Sequence, residues 1–321
     1  MPISAHPANI IIFIHYLCAM DKFYGEICQF LHDYGLHIYK VGEGYGHISV
    51  KAECSGNDRT IPLLLLGTPA TSQEESERQH AEASAEIARL TDESGTYPLI
   101  LTEDRWSSQG EMTRSRLLAH LEIFTQIYAR NCEVRRIDKA TAQNFLQTSH
   151  SYGDAACKYR YGLYLKRHTG HNALRLSESN DNPDGQAIAA LQPGTLIAVA
   201  TFSNARKWIK GDKTIRSYEW TRYASLPGVR LSGGMGKVLK TFIKEVQPDD
   251  IMTYADLEWS EGKVYEQLGF TLEGVKEPVT FLIGSDCRRR PDRPDIPAMD
   301  EDRWLRNFGS NKYRLKLTDY Q

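Results

Sequence analysis

The sequence predicts a mixed α/β protein built in two parts, and three observations carry that expectation. A short apolar run at Ile61–Leu66 (IPLLLL) is followed by a breaker-free stretch, Ser72–Leu90, and by a second apolar run, Tyr97–Thr102 (YPLILT). That is the pattern of strand, helix and parallel strand. From Cys132 to Gly284, segments of strand and helix character surround one helix led by Gly233-Gly234-Met235-Gly236. The length of 321 residues also exceeds one domain of about 100–200 residues. A hydrophobic share of 41% with 25% charged residues excludes a disordered chain. The net charge of −2 excludes a globally basic nucleic-acid coat but not a local basic patch.

The elements follow in order. Ile10–Cys18 is apolar but too short for a bilayer span, which needs about 20 residues, so it reads as a strand or helix and the chain as cytoplasmic. A helix is expected over Gly25–Tyr34, and the glycines at Gly42, Gly44 and Gly46 read as a turn. Glu111–Arg130 spaces Leu117, Leu121, Phe124 and Ile127 three and four apart, which predicts a connecting helix. Strands are expected at Cys132–Ile137, Tyr159–Lys166, Thr195–Phe202, Ile215–Ser225, Asp250–Ala255 and Val279–Gly284. Helices are expected at Lys139–Gln147, where Asp138 can cap, from Gly233 to Val246, and at Ser260–Leu268. His168–Pro193 is polar and rich in turn signals, and Asn311–Leu317 can return as an edge strand. The expected division is an N-terminal α/β domain at 1–110, a connecting helix at 111–130, a second domain at 131–285, and a linker and tail at 286–321. The six cysteines form no CxxC or zinc spacing, so reduced structural thiols and no metal are expected.

The glycine turn is the most specific local signal. A helix opened by glycines presents unpaired N–H groups and the positive end of its dipole, which suits a phosphate or pyrophosphate. Gly233, Gly234 and Gly236 allow close approach and Lys237 can add charge. The plainer reading is a turn that only needs glycine.

The stretches YASLPGVRLSGGMGKVLKTF and DDIMTYADLEWSEGKVYEQLGF resemble the two core motifs of the GNAT superfamily of N-acetyltransferases. In that family a strand leads through Arg/Gln-x-x-Gly-x-Gly/Ala into a helix that binds acyl-CoA. A Tyr-x-x-x-Gly-Phe signature follows, matched by Tyr265, Gly269 and Phe270. The resemblance implies a GNAT-like mixed sheet with flanking helices and an acetyl-CoA or related acyl-CoA donor. Its implied contacts fall on Ser225, Arg230, Gly233, Gly234, Gly236 and Lys237. Led by Arg230, the motif meets Gly233 but then Met235 where Gly or Ala belongs. Shifted by one, it meets Gly234 and Gly236 but is led by Leu231.

A narrower resemblance rests on EDRW, YARNCEVRRI, FLQTSHSYGDA and YADLEWSEGKVYEQLGF. These are similar to phage-associated proteins that join a nuclease-like first part to a GNAT-like second part, with the Mom DNA-modification proteins related in outline. Where such a nuclease would carry a metal-binding carboxylate, this chain has LLLLGTP. Only Glu103 and Asp104 remain near a strand end, whereas magnesium-dependent cleavage needs paired carboxylates. The first part therefore reads as nuclease-derived and not cleaving.

Acyl transfer to an amine needs a base for the acceptor and an acid for the leaving thiolate. Glu219 stands where family members place a base, or else pairs with Arg216 or Arg222. Tyr265 resembles the family's acid, or else is core. Asp256, at a strand end, can orient the amine or cap the next helix, a job for which Ser260 competes. His150, in the loop after Gln147, matches a histidine of the narrower resemblance. Arg206, Lys207, Lys210 and Lys213 surround Trp208 and are followed by Arg216, with Asp212 opposing. Set beside the acceptor site, this stretch is the candidate DNA or RNA contact, or else a solvated hairpin. Two functions follow: an acyl-CoA-dependent N-acyltransferase acting on a nucleobase or other amine, or a nucleic-acid-binding or modification protein that keeps the fold without acetyl transfer.

Overall fold

A computed structural model describes residues 7–53, 60–167, 173–174, 191–293, 295 and 298–319. Its contacts divide the chain into two compact units, each assembled from separated segments. One comprises Met1–Thr113, Glu258–Ser260 and Glu277–Gly309; the other comprises Arg114–Leu257, Glu261–Lys276 and Ser310–Gln321.

The first unit begins with α1 (Pro7–His32), β1 (His37–Gly44), β2 (His47–Glu53), β3 (Thr60–Leu66), α2 (Gln73–Ser94), β4 (Leu99–Thr102) and α3 (Glu103–Ser108). Its main sheet runs β1-β2-β3-β4, and β3 pairs with β4 in parallel from Leu63 opposite Leu99 to Leu66 opposite Thr102. The expected crossover is therefore present, with Leu63–Leu66 buried because the strands are covered on both faces. Ser72 caps α2 by accepting the Glu75 N–H at 3.2 Å. Ile10–Cys18 and Gly25–His32 belong to one helix, α1, and Gly44–His47 closes the β1–β2 hairpin.

After α4 (Gly110–His120) come β5 (Phe124–Tyr128), β6 (Cys132–Arg136), α5 (Lys139–Ser149), β7 (Tyr159–Leu165), β8 (Ala173–Leu174), β9 (Leu196–Phe202) and β10 (Arg206–Lys210). The chain continues through β11 (Lys213–Ser225), β12 (Val229–Ser232), α6 (Gly234–Val246), β13 (Asp250–Asp256), α7 (Lys263–Gln267) and β14 (Thr271–Lys276). It ends with β15 (Thr280–Ile283), β16 (Arg289–Pro291), β17 (Arg303–Arg306) and β18 (Ser310–Lys316). The large sheet of the second unit runs β14-β18-β13-β11-β9-β7-β6, with β10 on β11. It is mixed: β11 and β13 are parallel, while β9 and β18 run antiparallel to their neighbours. The protein is thus mixed α/β, with mixed sheets and flanking helices.

Helix α6 buries Val238, Leu239 and Phe242 on one face of that sheet. The Phe242 ring stacks on Phe202 with centroids 3.9 Å apart and meets Tyr159, Tyr161 and Tyr218 edge-on. On the other face, α5 packs Ala142, Phe145 and Leu146 against Val199 and Ala224.

Four expectations are corrected. The connecting helix 111–130 stops at His120, and Phe124–Tyr128 is a strand paired in parallel with Val229–Ser232. Its helical spacing is real but loses to a ladder with residues about a hundred positions away, across a positive φ of 64° at Glu122. The segment 286–321 is no tail: β16 and β17 flank β15, and β18 lies between β14 and β13 rather than at an edge. Val279–Gly284 does contain a strand, but it pairs in that separate sheet of the first unit. The helix Ser260–Leu268 shrinks to Lys263–Gln267, capped by Gly262. Most of the polar stretch His168–Pro193, including its turns, lies outside the described residues.

Candidate active site

The second unit is opened by the way β11 leaves β13. Their parallel ladder has three pairs, ending at Glu219 opposite Met252, although β11 continues to Ser225 and β13 to Asp256. From Trp220 onward β11 pairs with β9 instead, through an irregularity between Trp220 and Arg222. A bulge of this kind bends the strand and increases its twist, which turns β11 away from β13. One side-chain tie remains at the fork, the Thr253 hydroxyl donating to the Trp220 carbonyl at 3.1 Å.

Beyond the diverging end of β11, β12 leads to Gly233. This residue adopts the left-handed conformation with φ 77°, and α6 starts at Gly234 with no side chain capping it. Gly233 is the N-cap, and Gly234 and Gly236 lie in the first turn. A Cβ on Gly234 would stand 2.5 Å from the Tyr223 hydroxyl, while one on Gly236 would meet Leu268 at 3.3 Å. The Tyr223 hydroxyl is itself buried and has no hydrogen-bond partner among the described residues. Burial pushes its pKa up, so it stays a phenol that can donate.

The other expected contacts are placed as follows. Lys237 turns its ammonium to the carbonyls of Ala129 and Cys132, at 2.8 and 2.5 Å. Ser225 donates to the Val229 carbonyl at 2.8 Å, closing the β11–β12 turn. Arg230 is exposed, with its guanidinium over the Phe124 ring.

At the fork, Tyr265 packs against Trp220, Phe270 and Tyr313. Burial raises its pKa, with the Thr253 hydroxyl partly offsetting. Glu219 is half-buried at the last rung of the ladder, its N–H held by the Ser203 hydroxyl at 2.8 Å. It forms no ion pair with Arg216, which pairs with Asp249 instead. The positive charge near Glu219 is Arg222, whose pKa is lowered first by burial and raised in part by Glu219. Arg222 donates to the carbonyls of Gly153 and Thr221 at 3.0 and 2.8 Å.

Asp256 does not cap α7, and neither does Ser260, since Gly262 takes that place. Instead Asp256 accepts the Tyr152 hydroxyl at 2.9 Å, and His150 Nδ1 accepts the Tyr152 N–H at 3.1 Å. His150 and Asp256, more than a hundred positions apart in sequence, are thus joined through Tyr152. Tyr152, Arg222, Thr253 and Tyr223 were missed by sequence reasoning. Only Arg222 had carried a signal, as a possible partner of Glu219.

The basic stretch forms the β10–β11 hairpin, pairing Arg206 with Ser217 and Lys210 with Lys213. It stands at the start of β11: Arg206 lies opposite Ser217, two residues before Glu219, while the Lys210–Lys213 end lies six positions, about 20 Å of strand, from Glu219.

No family model and no curated protein matches the chain. Among solved structures it is similar to one described as histone acetyltransferase HPA2 and related acetyltransferase, from Corynebacterium glutamicum ATCC 13032. That match has 10% identity and a TM-score of 0.32, covering 59% of this chain and 98% of the other. It is also similar to an acetyltransferase of the GNAT family from Bacillus anthracis, at 14% identity and a TM-score of 0.28, covering 58% and 95% of the two chains.

In the first unit, Asp104 is bound by Arg289 at 2.7 and 3.2 Å, and Glu258 by Arg289 and Arg105. The Glu103 carboxylate accepts both the N–H and the hydroxyl of Thr68. No group of three or more His, Cys, Asp or Glu suited to a metal ion occurs among the described residues. No helix among them is long and apolar enough to cross a membrane.

Proposed function

We propose that the second unit is an acyl-CoA-dependent N-acyltransferase of GNAT type that acts on an amine. The observation that carries this reading is the three-pair β11–β13 ladder, which opens toward the uncapped N-terminus of α6. That geometry favours an extended ligand with an anionic end: strand edges line its path and helix N–H groups receive its charge. The residues fit the donor in that Gly233, Gly234 and Gly236 carry no side chain, and the Tyr223 hydroxyl adds a buried donor with no partner among the described residues. The N–H groups of Gly234, Met235 and Gly236 would hold the pyrophosphate.

The thioester of the bound donor supplies an activated acyl group. Glu219 accepts the proton of the acceptor amine, and Tyr265, kept a phenol by burial, protonates the departing sulfur. Asp256, held by Tyr152, orients the amine, with His150 bracing Tyr152. The second reading, a nucleic-acid-binding protein that keeps this fold without transfer, is favoured by the basic hairpin alone.

Gly236→Glu separates the two. A carboxylate in the first turn favours the helix dipole by about 0.3–1 kcal/mol and removes a glycine from the helix, which offsets the 3.3 Å approach of its Cβ to Leu268, and the thermal midpoint checks that the variant is folded. The same charge repels a pyrophosphate. Calorimetry should show acetyl-CoA binding to the parent protein and a loss of at least tenfold in the variant. Absence of binding by the parent at millimolar acetyl-CoA would overturn the acyltransferase reading.

A further inference from the structure

Nothing in the acyl-transfer reading uses the β10–β11 hairpin. Its register sets Lys207 directly opposite Arg216 and Lys210 opposite Lys213. Like charges placed opposite each other destabilise a strand pair, so a fold gains nothing from this arrangement by itself. Two of the cations are answered within the protein: Arg216 meets Asp249 at 3.5 Å, and Lys213 donates to the Asp319 carbonyl at 3.2 Å. Arg206 and Lys207 have no acidic partner among the described residues, and the one acid in the hairpin is Asp212.

Two large apolar side chains stand among these charges. Trp208 is 49% exposed and Ile209 is 84% exposed. The outer edge of β10 pairs with no strand among the described residues, because β10 joins the sheet through β11 alone. Along that edge Arg206 and Trp208 occupy one face about 6.6 Å apart, the two-residue repeat of a strand.

We propose that this hairpin is a contact surface for single-stranded nucleic acid. An extended polyanion running along β10 meets a cation and then an open indole. A phosphate neutralises Arg206, and the neighbouring base stacks on Trp208 on the same face of the strand. A lipid surface is the poorer fit. Strand alternation sends Trp208 and Ile209 to opposite faces of the hairpin, so one plane does not bury both. This inference does not rest on acyl transfer, and its test does not involve an acyl donor.

The test is fluorescence anisotropy of a labelled oligothymidylate against the full chain, at low and at physiological salt. Binding should be strongest at low salt. Arg206→Ala should reduce the slope of log affinity against log salt by about 0.7, the share of one phosphate contact on a single strand. Trp208→Ala should weaken binding about 5- to 100-fold, with Trp208→Phe retaining most of it. Thermal midpoints confirm folding, and if Trp208→Ala fails to fold, Arg206→Ala decides. No binding at low salt, or binding unchanged in these variants, overturns the proposal. So does hairpin-dependent binding seen only with phosphatidylserine vesicles.

Discussion

Tyr152 joins two residues that the sequence could nominate but not connect. Its hydroxyl donates to Asp256, and its N–H donates to His150. At 43% exposure it packs little, so Tyr152→Phe should cost no more than about 0.5 kcal/mol of stability. If Asp256 orients the acceptor, its loss of a fixed rotamer should lower acceptor-dependent release of thiol from acetyl-CoA about tenfold. Unchanged turnover would remove Asp256 from the proposed machinery. Tyr223 makes a similar point. It reads in sequence as one more aromatic of a strand, yet its hydroxyl lies buried beside Gly234 with no partner among the described residues.

At the scale of elements, β18 shows how a remote segment completes the sheet. It lies between β14 and β13, and its Arg314 reaches Asp250 at 2.7 Å and Glu273 at 2.7 and 3.0 Å. Arg314 foremost, with Lys312, holds the Glu273 carboxyl at about 2, below its ordinary value of 4.5. A depressed folded-state value contributes stability above pH 4.5 that is lost as the pH falls toward 2. Glu273→Gln should therefore flatten the acid limb of urea-midpoint measurements across that window and leave stability at neutral pH only slightly lowered. Because Glu273 is 37% exposed, solvent screening keeps the effect small.

Across the whole molecule, each unit is stitched from distant parts of the chain. In the first unit, Arg289 lies among Asp104, Glu258 and Thr102, and Arg105 also binds Glu258. Three segments of that unit converge on this cluster of five residues. Arg289→Ala would leave two buried carboxylates short of their partner, at a cost of about 3–5 kcal/mol. Denaturant unfolding should show that loss, and a loss below about 1 kcal/mol would mean that water reaches the carboxylates. The same pairing commits the Asp104 carboxylate to a guanidinium.

Local pattern was enough for much of the architecture. The β3–α2–β4 crossover, the Asp138 cap and the glycine-led helix all depend on contacts within a few turns, or on apolar runs that must be buried wherever they occur. The Gly233–Gly236 turn and Asp256, at a strand end, were nominated on the same basis, whereas Glu219 and Tyr265 came from the resemblance to the GNAT motifs. Tertiary structure decided what depends on partners far along the chain. It made Phe124–Tyr128 a strand against Val229–Ser232 and placed Ser310–Lys316 inside a sheet. It also joined His150 to Asp256 through Tyr152. A side-chain period reports which face is apolar, but not which distant backbone will take up its hydrogen bonds. That choice opened β11 from β13 and made the fork.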